Sequence, residues 1–156
     1  MITVRPATTA DADLLLSWAN DPVTRAAGFH AALIEPEVHR RWLHERLASS
    51  TGRLYIGQDD DRPIGQVRLD AFSDGRVEVG ISVAPGERGR GLGRDLLRAG
   101  MAAGIADPQL RVLVYVARIR PDNEASIALF SGAGFLHVGS EDVHGQRALI
   151  YELPAP

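Results

Sequence analysis

The sequence predicts an α/β (α+β) fold built on one mixed, mostly antiparallel central sheet of about seven strands, flanked by about four helices. Three observations lead there. Short β-branched runs alternate with stretches of helical apolar spacing along the 156 residues. An apolar content of 45% with 24% charged residues supplies the core of one ordinary domain. Gly, Pro and Asp turn signals separate the runs, while no repeat or linker divides the chain. A single domain over residues 1–153 is expected, with 154–156 (Pro154-Ala155-Pro156) as a tail.

Taken in order, Ile2 to Arg5 alternates and predicts a first strand. Thr9-Ala10-Asp11-Ala12-Asp13 offers N-cap side chains ahead of Leu14, Leu15, Leu16 and Trp18, so a helix follows. Asp21-Pro22 begins a short turn or helix. Pro36 suits a first helical turn, and Val38, Trp42, Leu43 and Leu47 give that helix one apolar face through Ala48, with Gly52 as its end. Leu54 to Gln58 and Ile64 to Ala71 read as strands around the polar loop Asp59-Asp60-Asp61-Arg62-Pro63, and Ser73-Asp74-Gly75 makes the next turn. Arg76 to Ala84, rich in valine and isoleucine, stops at Pro85-Gly86. From Gly91 the spacing becomes helical, with Leu92, Leu96, Ala99 and Ala103 on one face. Leu110 to Ala117 is an almost continuous apolar run and predicts a strand buried on both faces. Pro121-Asp122-Asn123 opens a helix from Glu124 to about Gly132. Phe135 to Gly139 and Ala148 to Leu153 are the closing strands, joined around His144-Gly145.

Charge and composition narrow the function. The net charge is −3 and all seventeen basic residues are arginine. A mildly acidic chain is a poor general binder of nucleic acid, which requires many phosphates to be neutralised. Without lysine, any phosphate site must use arginine forks and backbone N–H groups. With no cysteine there are no disulfides, thiolate nucleophiles or cysteine-based zinc sites. No apolar run approaches the roughly 18 residues of a membrane span, and Met1 to Pro6 has no apolar stretch behind a basic end; a cytoplasmic location is expected. No metal is expected either. His39 and His44 are five apart and share no helix face, and His44-Glu45 lacks the second histidine of a zinc helix. Ser82 lacks the second glycine of a nucleophile elbow.

The run Arg88-Gly89-Arg90-Gly91-Leu92-Gly93 stands between a strand and a helix. A helix N-terminus leaves its first N–H groups unpartnered and carries partial positive charge, so an anion there meets several donors at once. Gly89, Gly91 and Gly93 let a pyrophosphate approach the backbone and permit positive φ, while Arg88, Arg90 and Arg94 add charge at the rim. The plain alternative is a surface loop rich in Gly and Arg. Without lysine the run cannot be a Walker A loop, and its G-x-G-x-G spacing differs from the Rossmann fingerprint.

This run matches the Q/R-x-x-G-x-G/A signature of the GNAT superfamily of N-acetyltransferases, and Val77 to Gly93 resembles that family's fourth strand and cofactor turn. Downstream, Asn123, Ser126, Ala128-Leu129-Phe130 and Gly134-Phe135 resemble its N-x-x-(S/A)…L-(Y/F)…G-F segment. The resemblance is strong over 76–136 and weak before residue 50. It implies splayed fourth and fifth strands with acetyl-coenzyme A (acetyl-CoA) in the gap and coenzyme A as a product. The pantetheine arm would pair with the backbone of Ile81 and Val83, and the pyrophosphate would sit on Arg88, Gly89, Arg90, Gly91, Leu92, Gly93 and Arg94. Asn123 would bond the arm from the other wall, near Ser126 and Phe130; by itself Asn123 reads equally as a helix cap.

For the chemistry, the Val83 N–H is the expected oxyanion donor and Glu78 the general base candidate, directly or through water. An exposed strand glutamate in an ion pair is the alternative for Glu78. Where many family members have a tyrosine acid, this chain has Phe130. Tyr115, Ser126 and Ser131 are substitutes, Tyr115 standing in an apolar run that also reads as core. A thiol with a pKa of about 8.5 can leave without an acid.

The acceptor segment implied by the resemblance runs through Trp18, Asn20, Arg25, Phe29 and His30, then His39 and Trp42. It is similar to family members acting on nucleotide-linked amino sugars and on ribosomal-protein N-termini. Trp18 and Trp42 also read as core. A small-molecule amine is the expected partner, with neither nucleic acid nor membrane, and a homodimer stays open. A coenzyme A-binding domain without catalysis is the alternative that Phe130 favours.

Overall fold

The computed structural model describes residues 1–30 and 32–156. The alternating runs form seven strands: β1 (Ile2–Pro6), β2 (Gly52–Asp59), β3 (Arg62–Ala71), β4 (Arg76–Val83), β5 (Val114–Ile119), β6 (Leu136–Val143) and β7 (Gln146–Pro154). They make one sheet in the order β1-β2-β3-β4-β5-β7-β6. Every neighbouring pair is antiparallel except β4–β5. The helices are α1 (Ala12–Ala19), α2 (Pro22–Ala27), α3 (Pro36–Ala48), α4 (Leu92–Ala106) and α5 (Glu124–Gly132). The short segment after Asp21 is thus a helix, because Pro22 sits in its first turn and the Asp21 carboxylate accepts the Thr24 N–H.

A parallel strand pair needs a crossover, and α4 supplies it between β4 and β5. Its fully buried residues are Leu96, Leu97, Gly100 and Gly104; of the expected face, Leu92 and Ala103 pack against the core beside Leu96, and the two glycines join them. A Cβ at Gly100 would overlap Val67, and one at Gly104 would overlap the Tyr115 hydroxyl and Leu69. The glycines let the helix lie close against the sheet. On this face Val67, Leu69, Val77, Val79 and Tyr115 pack beneath α4. The opposite face at β2 carries Leu54 and Ile56, covered by Leu15, Trp18 and Leu43 of α1 and α3.

Several boundaries differ from the sequence expectation. β5 starts at Val114, not Leu110. Arg111 has φ 49° and Leu113 is 68% exposed, so the chain between Leu110 and Val114 is not laddered. Tyr115, Val116 and Ala117 are buried as expected. In α3 the buried positions are His39 and Leu43, while Val38 and Leu47 are exposed; the helix ends at Ala48, and Gly52 already opens β2. The first hairpin turns at Asp60 (φ 54°), and β6 and β7 turn through His144 and Gly145, both left-handed (φ 51° and 78°), as a two-residue hairpin demands. The last strand reaches Pro154, and the Ala155 N–H donates to the Leu113 carbonyl at 2.9 Å. Among the described residues no helix is long and apolar enough to cross a membrane.

Candidate active site

The site begins where two strands part. β4 and β5 pair only at Arg76–Val114, Val77–Tyr115 and Glu78–Val116. β4 continues to Val83 and β5 to Ile119, so a wedge opens beyond Glu78. The Ala84 N–H and the Arg76 carbonyl are both spent toward β3, on Ile64 and Phe72. Backbone alternation therefore turns the N–H and C=O groups of Ile81 and Val83 to the other edge, into the wedge beyond the last β4–β5 pair. A strand edge buried in a cleft without partners is a template for an extended, amide-bearing ligand.

At the wide end stands the glycine turn. Gly89 and Gly91 have φ 79° and 73°, Gly91 capping α4, and a Cβ at either would meet no protein atom within 4 Å. Among the described residues, the N–H groups of Gly91, Leu92 and Gly93 at the head of α4 donate to no backbone carbonyl. Gly93 lies beside Leu129 and Val83, so the head of α4, the end of β4 and α5 converge here. The turn is an anion nest made of backbone amides. Its arginines are less free than the sequence suggests. The Arg88 Nη2 donates to Asp21 Oδ2 and Thr24 Oγ1, both at 2.8 Å, and Arg90 pairs with Glu87 at 2.5 Å. The Arg88 hydrogen bond, together with the Thr24 N–H, holds the Asp21 carboxyl below its usual range. On the facing wall the Asn123 Oδ1 accepts the Ser126 N–H at 3.2 Å and caps α5. Its Nδ2 has no protein partner among the described residues, so capping leaves a donor to spare.

Glu78 lies at the vertex. Arg118 donates to both its oxygens, Nη2 to Oε1 at 2.7 Å and Nε to Oε2 at 2.8 Å, and a third donor of Arg118 reaches Glu141 at 3.0 Å. The Glu78 hydrogen bonds, followed by its charge and the Glu141 contact, raise the Arg118 guanidinium further above its ordinary value against the opposing effect of burial. These three side chains rim a cavity of about 230 Å³ floored by Val116 and Ile150. Tyr115 is adjacent to Val116 and therefore points to the other face. Its hydroxyl donates to the Met101 carbonyl at 2.5 Å under α4, and burial, helped by Tyr55, pushes it up to about 12. The structure thus places Tyr115 in the core, away from Glu78. Phe130 is buried too, edge-on to Phe135 at 5.0 Å.

The acceptor candidates divide. Trp18 is packed in the core beneath α1. Asn20 clasps Ile34, donating to its carbonyl and accepting its N–H at 2.9 and 2.8 Å. Arg25 and Phe29 are half-buried, and the Arg25 Nε has no partner. The His30 ring lies against that of His144 in the β6–β7 turn, tilted by 54° with centroids 4.5 Å apart. Arg120, which the sequence reading passed over, donates to the Ala26 and Gly28 carbonyls at 2.8 and 3.1 Å. Arg88 and Arg120 therefore hold α2 at its two ends, one from each side of the wedge. Arg118 and Glu141 were missed as well. Arg118 is the one charge in the apolar β5 run, which was the available signal.

The family model of the acetyltransferase (GNAT) domain matches residues 2–136. The chain belongs to this family. An N-acetyltransferase 9-like protein of Nematostella vectensis is 37% identical over 77 residues, 49% of this chain but only 38% of that protein's own length. The GNAT fold of the chain is also that of an aminoglycoside acetyltransferase solved with coenzyme A, at 21% identity and a TM-score of 0.85 over 99% of this chain and 95% of the other. A ribosomal-protein-alanine N-acetyltransferase from Brucella melitensis is 26% identical with a TM-score of 0.81, over 97% and 99% of the two chains. In this GNAT chain the wedge and the glycine turn are adjoining parts of one cleft.

Proposed function

We propose that this GNAT domain is an acetyl-CoA-dependent N-acetyltransferase acting on a primary amine of a small molecule. The observation that carries the reading is the wedge of unpaired β4 amides leading straight to the amide nest at the head of α4. Such a cleft suits a ligand with an extended amide arm and a pyrophosphate, and acetyl-CoA has both in that order. Ile81 and Val83 would pair with the arm, Asn123 Nδ2 would reach it from α5, and Gly89 to Gly93 would take the pyrophosphate.

Transfer begins when the amine nitrogen attacks the thioester carbon. The C–S bond then breaks, the thiolate leaves with the electron pair, and the nitrogen gives up one proton, yielding amide and free coenzyme A. A β4 N–H turned into the wedge serves the oxyanion; with the amine beside Glu78, that of Ile81 is better placed than that of Val83, which lies about 16 Å along the strand from Glu78, beside the nest. Glu78 retains acceptor lone pairs beyond those held by Arg118 and takes the proton through water. With Phe130 unable to donate and the Tyr115 hydroxyl bound to Met101, the thiolate departs without a dedicated acid, consistent with its pKa of about 8.5. With Trp18 and Asn20 engaged in structure, Arg25, Phe29 and His30 remain to meet the acceptor. A nucleotide-linked amino sugar is one such acceptor. A cytoplasmic location remains our reading for this cysteine-free chain, as does an acceptor that is neither nucleic acid nor membrane.

The test is release of free thiol from acetyl-CoA with a panel of amino sugars, peptide N-termini, polyamines and aminoglycosides. Thiol release that depends on an amine supports the enzyme; acetyl-CoA binding without release would make this a binding domain. Acetylation of peptide N-termini alone would favour the second reading, a protein N-terminal acetyltransferase, which the likeness to the Brucella melitensis enzyme supports.

A further inference from the structure

We infer that the acceptor carries an anionic group as well as its amine, and that Arg76 binds that anion. The inference rests on the acetyltransferase reading and concerns the far half of the 230 Å³ cavity, lined by Phe72 and Arg76. The two halves differ in charge. Around Glu78, two carboxylates share the single guanidinium of Arg118, which leaves one net negative charge to attract an ammonium. Of the other acidic side chains on this face, Asp70 is already held by Arg46 at 2.7 Å and Arg68 at 3.5 Å, and Glu152 lies 3.9 Å from Arg76.

Arg76 stands two residues before Glu78 on the same face of β4, about 7 Å along the strand. Its guanidinium makes no side-chain hydrogen bond among the described residues. The Nε is shielded from solvent without a partner, and the nearest carboxylate, Glu152, is 3.9 Å from Nη2, beyond hydrogen-bond length. The group rests over the Phe72 ring at 6.0 Å, and Phe72 is itself 48% exposed. Other arginines, such as Arg53 and Arg118 of the sheet and Arg46 of α3, spend their donors on carboxylates and carbonyls. Arg76 is thus a cation with unspent donors, its charge shared at 3.9 Å with Glu152, at the end of a cavity whose other end is negative. A molecule with an ammonium at one end, a short apolar body for Phe72, Val116 and Ile150, and a carboxylate or phosphate some 6–7 Å from the nitrogen would meet each wall with its complement.

The experiment uses the full chain with acetyl-CoA and four acceptors: 5-aminopentanoate, its methyl ester, 3-aminopropyl phosphate and pentylamine. Thiol release gives kcat/KM for each, in the unaltered protein, Arg76→Gln and Arg76→Lys, with acetyl-CoA affinity measured alongside. An anionic acceptor should exceed its neutral counterpart by about tenfold or more, the size of one charge-assisted contact. The preference should appear in KM, collapse in Arg76→Gln and return in part in Arg76→Lys. Preference for the phosphate over the carboxylate, or the reverse, identifies which anion the site takes. Equal use of acid and ester, a preference that survives Arg76→Gln, or acetyl-CoA binding with all four amines refused would each overturn the inference. Failure to bind acetyl-CoA would instead overturn the acetyltransferase reading beneath it.

Discussion

Arg118 ties up both oxygens of Glu78, yet Glu78 is the acid nearest the point where β4 and β5 part. If the carboxylate takes the amine proton, Glu78→Gln keeps the shape and some hydrogen bonding but loses the base. The expected result is a fall in kcat/KM of about 10²-fold or more, with the acidic limb of its pH profile moved. An unaltered profile would remove Glu78 from proton transfer and leave it a structural partner of Arg118. Arg88 offers a second contrast. Its guanidinium is bound to Asp21 and Thr24 at the start of α2, so the pyrophosphate site depends more on the amides of the turn than on this side chain. Arg88→Gln should raise the acceptor KM more than it weakens acetyl-CoA binding. Calorimetry and initial rates on the one variant decide this, and the reverse order would return Arg88 to the phosphate.

The helices show how much a sequence can disclose. The α5 cap at Asn123, the glycine turn before α4 and the hairpin at His144-Gly145 were readable because each depends on a local conformation that a few residue types allow. The start of β5 was not, because the apolar run continues through Leu113 while Arg111 takes a left-handed φ that breaks the ladder. The Arg118–Glu78–Glu141 network was hidden for a different reason, since it depends on register between strands far apart in the chain. Likewise, Gly100 and Gly104 look like weak points of a helix until the close approach to Val67 and Tyr115 is known. Gly100→Ala should improve local helix propensity by about 1 kcal/mol and still lose stability overall by roughly 1–2 kcal/mol through overpacking, as measured by urea unfolding. A gain would show that α4 can move outward freely. On α3, burial lowers the pKa of His39 below its ordinary 6.5, so the folded state favours the neutral ring. The unfolded chain then binds more protons below about pH 6.5, and the stability contributed by neutral His39 is lost as pH falls through that value toward the folded pKa. His39→Gln should flatten the dependence of stability on pH below about 6.5; an unchanged slope would assign it to other groups.

Over the whole molecule, one parallel pair in an otherwise antiparallel sheet creates the cleft. The crossover through α4 brings a helix N-terminus to the mouth of the same wedge that the diverging strands open, so a cofactor arm and its phosphates find their partners along one line. Ligand binding to the native state alone should stabilise it by about 2.7 kcal/mol at a hundredfold excess over Kd. For a chain of this size that corresponds to a Tm rise of roughly 5–10 °C, while an amine without acetyl-CoA should give far less.

The most direct test of the cleft compares acetyl-CoA affinity, by titration calorimetry, in the unaltered chain and in Gly91→Ala. Gly91 has φ 73° and empty space where a Cβ would go, so the substitution adds a methyl to the nest at a backbone cost of about 1 kcal/mol without touching other protein atoms. One-to-one binding that weakens about tenfold or more in the variant is the predicted result. Equal affinity in both, or no binding in either, would contradict the assignment of the turn as the pyrophosphate seat.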